Sequence, residues 1–240
     1  MAMKLLALFF GFFISICTSL PACTKKNAST TIQAGGPQST TNNKTWLALG
    51  DSYTIGQGVQ TIERFPHITS AMLRQQNISL ADPQYIAMTG WTTGNLLNAI
   101  NQTSLGTYDV VSLLIGVNDQ YQGLDTAGYR LRFTQLINKA VSLAGNNAKK
   151  VFVLSIPDYS VTPFVSAASK SRISREIDEF NAINKQITLG YNIAYIDITS
   201  LTREVANDPS LLANDGLHYS GKEHQKWAEL LAPLVKAVLQ

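Results

Sequence analysis

The chain has 240 residues, 45% of them hydrophobic and 15% charged, with a formal net charge of +3. That composition excludes an intrinsically disordered chain and is large enough for one domain with a well-buried core. The basic residues are scattered, with Lys25-Lys26 and Lys149-Lys150 the densest pairs. No basic stripe marks a nucleic-acid partner.

In chain order, the first segment is a different material from the rest. Lys4 is followed by an apolar run from Leu5 to Ile16. This run is shorter than the roughly 20 residues that cross a bilayer and fits the apolar part of a signal peptide. "Leu20-Pro21-Ala22-Cys23" then resembles a bacterial lipoprotein signal, which implies cleavage after residue 22, a lipid on Cys23 and an exported, membrane-tethered protein of the cell envelope. Cys17 lies inside the signal, so the mature chain would hold Cys23 alone and no internal disulfide. Residues 23–44 are rich in Ser, Thr, Asn and Gly and read as a flexible tether. The folded domain is expected over 45–240.

Within it, near-continuous apolar runs at 45–50, 85–88, 110–116, 150–156 and 193–198 read as strands buried on both faces. Helix-period segments fall between them, at about 66–77, 93–101, 126–145, 171–189 and 219–239. In the third, Leu131, Leu136, Ile137, Val141 and Ala144 form the expected apolar face; in the last, Leu230, Leu231, Leu234, Val235 and Leu239 do so. Alternating β and α elements predict one three-layer α/β/α domain on a parallel sheet. Ligands of such sheets bind beyond the carboxyl ends of the strands. The residues to inspect are therefore Gly50-Asp51-Ser52, Thr89-Gly90-Trp91, Gly116 to Asp119, and Pro157-Asp158-Tyr159.

Ser52, at the first of these ends, is a candidate nucleophile, which needs a base and an orienting acid. Of the histidines His67, His218 and His224, only His218, in "NDGLHYS", has an acid, Asp215, at a spacing that lets a carboxylate fold back onto its ring. His67 and His224 are expected in surface or packing roles. The Ser52 N–H, the Gly90 N–H and the Asn118 amide could receive a developing oxyanion. Asp51 and Asp119 read as braces of their turns. The apolar and aromatic residues Tyr53, Trp91, Tyr121 and Phe164 are candidates for a substrate pocket, with 157–170 as a side wall or lid.

The blocks "GDSYTIG", "TGW", "GVND" and "DGLH" resemble, in order and approximate spacing, the four signatures of the SGNH (GDSL-type) hydrolases. The signature residues fall on Ser52, Gly90, Asn118 and His218, and the likeness runs from about Trp46 to Gln240. It implies a flavodoxin-like sandwich with a five-stranded parallel sheet and a serine esterase chemistry that uses Ser52, His218 and Asp215. No metal and no other cofactor is implied. Tyr53 departs from the apolar residue common at that position. Lipid acyl, small acyl and O-acetyl glycan esters are all compatible substrates. The alternative is a non-catalytic surface binding protein on the same scaffold. Neither a G-x-S-x-G elbow at Ser52, nor zinc spacing around His218 and His224, nor a P-loop is present.

Overall fold

The computed structural model describes residues 43–240. The signal segment, Cys17, Cys23 and nearly all of the tether lie outside the described residues. Five parallel strands, β1 (Trp46–Gly50), β2 (Gln84–Ala87), β3 (Val110–Leu114), β4 (Val151–Leu154) and β5 (Ala194–Ile196), form one sheet in the order β2-β1-β3-β4-β5. Every residue of β1, β3 and β4 is buried, whereas the edge strands β2 and β5 are only partly so. Continuous apolar runs are what a strand covered on both faces demands, and each fully buried Leu, Val or Phe contributes about 1.5–3 kcal/mol.

Helices cover both faces. One face carries α1 (Ser52–Ile55), α2 (Phe65–Gln75) and, closing the chain, α8 (Gly221–Leu239), with α2 packed along α8. The other carries α3 (Thr93–Gln102), α5 (Thr126–Leu143) and α6 (Ala167–Gly190), packed in that sequence. Two short helices, α4 (Val117–Tyr121) and α7 (Thr199–Thr202), follow β3 and β5 directly. The strand order reverses between β1 and β3, which makes their carboxyl ends the switch point where ligands of such sheets bind.

The five expected strands and five longer helices are all present, with bounds shifted by a few residues. Helix α6 starts four residues earlier than its apolar period does, after Ser166. Two helix faces need correction. Leu131 is 68% exposed, and the buried face of α5 is instead Tyr129, Phe133, Leu136, Ile137 and Ala140. On α8, Leu230 and Leu234 point to solvent while Trp227, Leu231 and Val235 enter the core. Leu131 lies two residues from both Tyr129 and Phe133, on the opposite side of α5, and Leu230 and Leu234 lie to one side of the α8 face set by Trp227, Leu231 and Val235.

Two glycines are required where the chain leaves the central strands. A Cβ on Gly50 would collide with the Thr54 side chain and the Leu114 carbonyl. Gly116 has a φ of 129°, and a Cβ there would run into the Tyr129 hydroxyl. Both close approaches bring the strand ends of β1 and β3 together beneath the loops that follow.

Candidate active site

At the end of β1, Asp51 caps α1 by accepting the Tyr53 N–H at 3.0 Å, and Thr54 sends its hydroxyl back toward the Leu49 and Leu114 carbonyls. The four-residue helix is closed by Gly56 in the left-handed region. Ser52 is thereby fixed at the first helical position, over the switch point. Its N–H makes no hydrogen bond among the described residues.

The loop before α8 supplies His218. Asp215 Oδ1 accepts the N–H groups of Leu217 and His218 at 3.0 and 2.9 Å, and Oδ2 meets His218 Nδ1 at 2.7 Å. The turn is locked from outside by Ala213 N–H donating to the His218 carbonyl and by the buried Tyr219 hydroxyl donating to the Asp158 carbonyl. Burial pushes the Asp215 carboxyl up, but the hydrogen bonds from Leu217 and His218 outweigh it and hold it below the usual carboxylate range. It therefore stays ionised through neutral pH, as a partner for an imidazolium must.

Asn118 sits at the start of α4 and donates from Nδ2 to the Trp91 carbonyl at 3.0 Å, which leaves one amide N–H free. Its neighbour Asp119 is buried and receives the Thr93 N–H and hydroxyl, at 2.8 and 2.6 Å, and Arg132 at 3.2 Å. Asp119 thus ties the loop after β3 to the start of α3. Gly90, in the loop after β2, is exposed with a φ of 82°, and its N–H also makes no hydrogen bond among the described residues.

Ser52, Tyr53, Asn118, Tyr121, Phe164 and His218 line one cavity of about 170 Å³, together with Val117, Tyr159 and Leu217. Ser52 and His218 face this common space without a hydrogen bond between them among the described residues; such contacts often tighten only with substrate bound. The Tyr53 ring lies edge-on to the His218 imidazole, with centroids 5.6 Å apart, and so is a wall of the base as much as of the cavity. Trp91 does not line this space. The Thr92–Asn95 capping box turns the chain into α3 at once, and the indole packs against the core instead. Val117 falls within the strand end Gly116 to Asp119 but was not expected as a wall of the cavity, and the only signal for Leu217 is its adjacency to His218.

The other histidines are elsewhere. His224 is buried between Phe65 and Trp227, accepts the Phe65 N–H on Nδ1 at 3.2 Å, and is pushed down to about 3 by burial and by the nearby His218 and Arg64. It is neutral at any working pH. His67 lies at the surface, 3.6 Å from Asp82.

Asp51 is fully buried, and one carboxyl oxygen has no partner among the described residues. Burial, reinforced by Asp119, pushes it up to about 8 against opposing backbone hydrogen bonds, of which that from Tyr53 is the largest. Between the ordinary value of 3.8 and about 8 the native state holds a proton that the unfolded chain has released. Its contribution to stability is therefore full at low pH and declines as pH rises through that window. Asp51→Asn, which keeps the acceptor for Tyr53, is expected to flatten the fall in Tm between pH 5 and pH 8. Parallel Tm profiles for the two proteins would refute this.

The family model of GDSL-like lipases and acylhydrolases matches residues 48–226, well over half of the chain. The chain belongs to this family. It is a carboxylic ester hydrolase. No curated protein matches its sequence. Among solved structures, the psychrotrophic esterase EstA from Pseudoalteromonas sp. shares 18% identity, with 81% of this chain and 98% of that one covered and a TM-score of 0.60. The lipase/acylhydrolase from Enterococcus faecalis shares 19%, covering 81% and 96%, with a TM-score of 0.62. An acetyl xylan esterase from Geobacillus stearothermophilus shares 19%, covering 80% and 94%, with a TM-score of 0.56. At these identities the likeness is one of fold, and the family's five-stranded sandwich is the one seen here.

Proposed function

We propose that this family member is a serine esterase in which Ser52 is the nucleophile, His218 the general base and acid, and Asp215 the group that orients and steadies the imidazole. The observation that carries the reading is the 2.7 Å bond from Asp215 to His218 Nδ1, which leaves Nε2 for the cavity shared with Ser52. His218 takes the Ser52 proton as Oγ attacks the ester carbonyl. The Ser52 and Gly90 N–H groups and the free Asn118 N–H receive the negative oxygen. Collapse breaks the acyl–oxygen bond, and the alcohol leaves with the proton from His218. Water then attacks the acyl-enzyme, giving its proton to His218, and the carboxylic acid departs as Ser52 recovers its hydrogen. The inhibition of EstA by monoethylphosphonate, a tetrahedral phosphorus acid derivative, is consistent with a nucleophile of this kind on the shared fold.

The acyl group is short. The cavity at Ser52 measures about 170 Å³ and is walled by Tyr53, Tyr121, Tyr159 and Phe164, which favours acetyl to butyryl esters over dodecanoyl. The acetyl xylan esterase among the structural neighbours supports a short acyl group on a carbohydrate as one substrate of this kind.

The test is hydrolysis of a chromogenic ester series, acetyl through dodecanoyl, by the purified protein. The expected optimum is at four carbons or fewer. Asn118→Ala is expected to lower kcat on the best ester by about 100-fold or more. A dodecanoyl optimum would reject the short acyl pocket, and near-normal turnover in Asn118→Ala would remove Asn118 from the oxyanion site.

Residues 1–22 and Cys23 are proposed to export the enzyme and anchor it by lipid to a bacterial envelope membrane, with 23–44 as the tether and 45–240 as the catalytic domain. In a bacterial host, Cys23→Ala is expected to abolish fatty-acid labelling and move the enzyme to the soluble fraction. Unchanged labelling in the variant would place any lipid elsewhere.

A further inference from the structure

The cavity at Ser52 shares three of its walls, Tyr121, Tyr159 and Phe164, with a second and larger cavity of about 500 Å³. The far side of the second cavity is built by the start of α5 and by the first turns of α6. The two spaces differ in chemistry. The first is walled chiefly by rings and aliphatic side chains. The second presents Asp125, Arg172, Glu176 and Glu179, with the amide of Gln120 at its inner edge.

Building on the serine esterase reading, we propose that this second cavity holds the alcohol half of the ester and that this alcohol is an uncharged sugar. Once the acyl group fills the small cavity at Ser52, the alkoxy side must occupy neighbouring space, and the adjoining cavity supplies it. The charge it presents selects among alcohols. Asp125, Glu176 and Glu179 set three carboxylates against Arg172 in the lining and Arg175 beside Glu176, which leaves the site net negative. That balance repels a phosphate or carboxylate headgroup. A long hydrocarbon is disfavoured too, because it would strip water from Arg172 and Glu176 without replacing it.

Hydroxyl groups, in contrast, both donate and accept, and find partners for both here. Arg172 Nη1 donates to both oxygens of Glu176 at 2.8 Å, which leaves further guanidinium N–H groups for a ligand. Glu176 also receives Gln120 Nε2 at 2.6 Å, and Gln120 Oε1 accepts the Tyr159 hydroxyl at 2.9 Å. A chain of bonds thus runs from Arg172 at the surface to Tyr159 on the shared wall and fixes these groups in advance of binding. Tyr121 and Phe164, 60% and 51% exposed with centroids 6.4 Å apart, offer ring faces at the junction for the C–H face of a sugar. The bond broken remains the acyl–oxygen bond, and the sugar oxygen takes the proton from His218.

The experiment compares kcat/KM for O-acetylated cellobiose, followed by acetate release, with that for 4-nitrophenyl acetate, in the full chain and in Arg172→Ala and Glu176→Gln. The expected result is a fall of about tenfold or more in the ratio of the two constants in each variant, carried mainly by KM for the disaccharide. Arg172 is well exposed, so its variant tests the site even if Glu176→Gln is poorly folded. A ratio unchanged within twofold in folded Arg172→Ala overturns the subsite while leaving the esterase intact. A clear preference of the unaltered protein for a short-chain acylglycerol or phospholipid over the acetylated disaccharide does the same. Absence of Ser52-dependent turnover of 4-nitrophenyl acetate would instead defeat the esterase reading, and the subsite with it.

Discussion

Ser52→Ala is expected to lower kcat on a short-chain ester by about 10⁶-fold while leaving the fold intact. The side chain is nearly buried, but its hydroxyl makes no hydrogen bond among the described residues; the brace of α1 is Asp51, Thr54 and Gly56. Alanine keeps the backbone N–H at that position, so the oxyanion donors survive and a residual catalysis over water of about 10³–10⁴ remains. His218→Ala should cost a similar factor. Because nucleophile and base act as a unit, the double variant should be no worse than either alone. The check is single-turnover kinetics of the three variants beside their Tm values. A Ser52→Ala protein within tenfold of the unaltered enzyme, at equal Tm, would displace Ser52 from the mechanism.

Asp215→Asn is expected to cost up to about 10⁴-fold in kcat, more than its modest change in shape suggests. The carboxylate does two separable jobs. Oδ1 holds the turn through the Leu217 and His218 N–H groups, and Oδ2 meets His218 Nδ1. An asparagine can keep Oδ1 as the acceptor for the turn, but then presents its NH₂ to Nδ1. Nδ1 must become the acceptor, the ring proton moves to Nε2, and the nitrogen facing Ser52 can no longer take a proton. Asp215→Ala lacks that wrong donor and leaves the tautomer free. It is therefore expected to retain more activity than Asp215→Asn, although its turn is weaker and its Tm lower. Measuring kcat and Tm for both variants decides this. A more active asparagine variant would assign Asp215 to holding the turn, and equal loss in both would contradict the wrong-tautomer argument.

Much of this arrangement was legible in the sequence because it is local. Continuous apolar runs mark β1, β3 and β4, since strands covered on both faces need no polar side. The strand-end rule then directs attention to Ser52, Gly90, Asn118 and the Asp158-Tyr159 pair before any contact is known. Asp215 and His218 stand three residues apart, so one turn suffices to join them. What was not legible depends on long-range packing. Trp91 follows Gly90 in sequence, but a capping box sends it to the core rather than to the cavity. Leu131, Leu230 and Leu234 fit a helical period yet face solvent, because the buried faces are those of Tyr129 and Phe133 on α5 and of Trp227, Leu231 and Val235 on α8. The burial of Asp51, and the second cavity between α5 and α6, arise from elements far apart in the chain and leave no local pattern.

The central claim, that Ser52 is a nucleophile activated by His218, is tested most directly by covalent capture. The purified protein is treated with 4-nitrophenyl ethylphosphonate, and the adduct is located by mass spectrometry of its peptides. One ethylphosphonyl group on Ser52 is predicted, with loss of ester turnover in proportion to labelling and very slow labelling in His218→Ala. Turnover that persists with Ser52 unlabelled, or a stoichiometric adduct on another residue, would contradict the account.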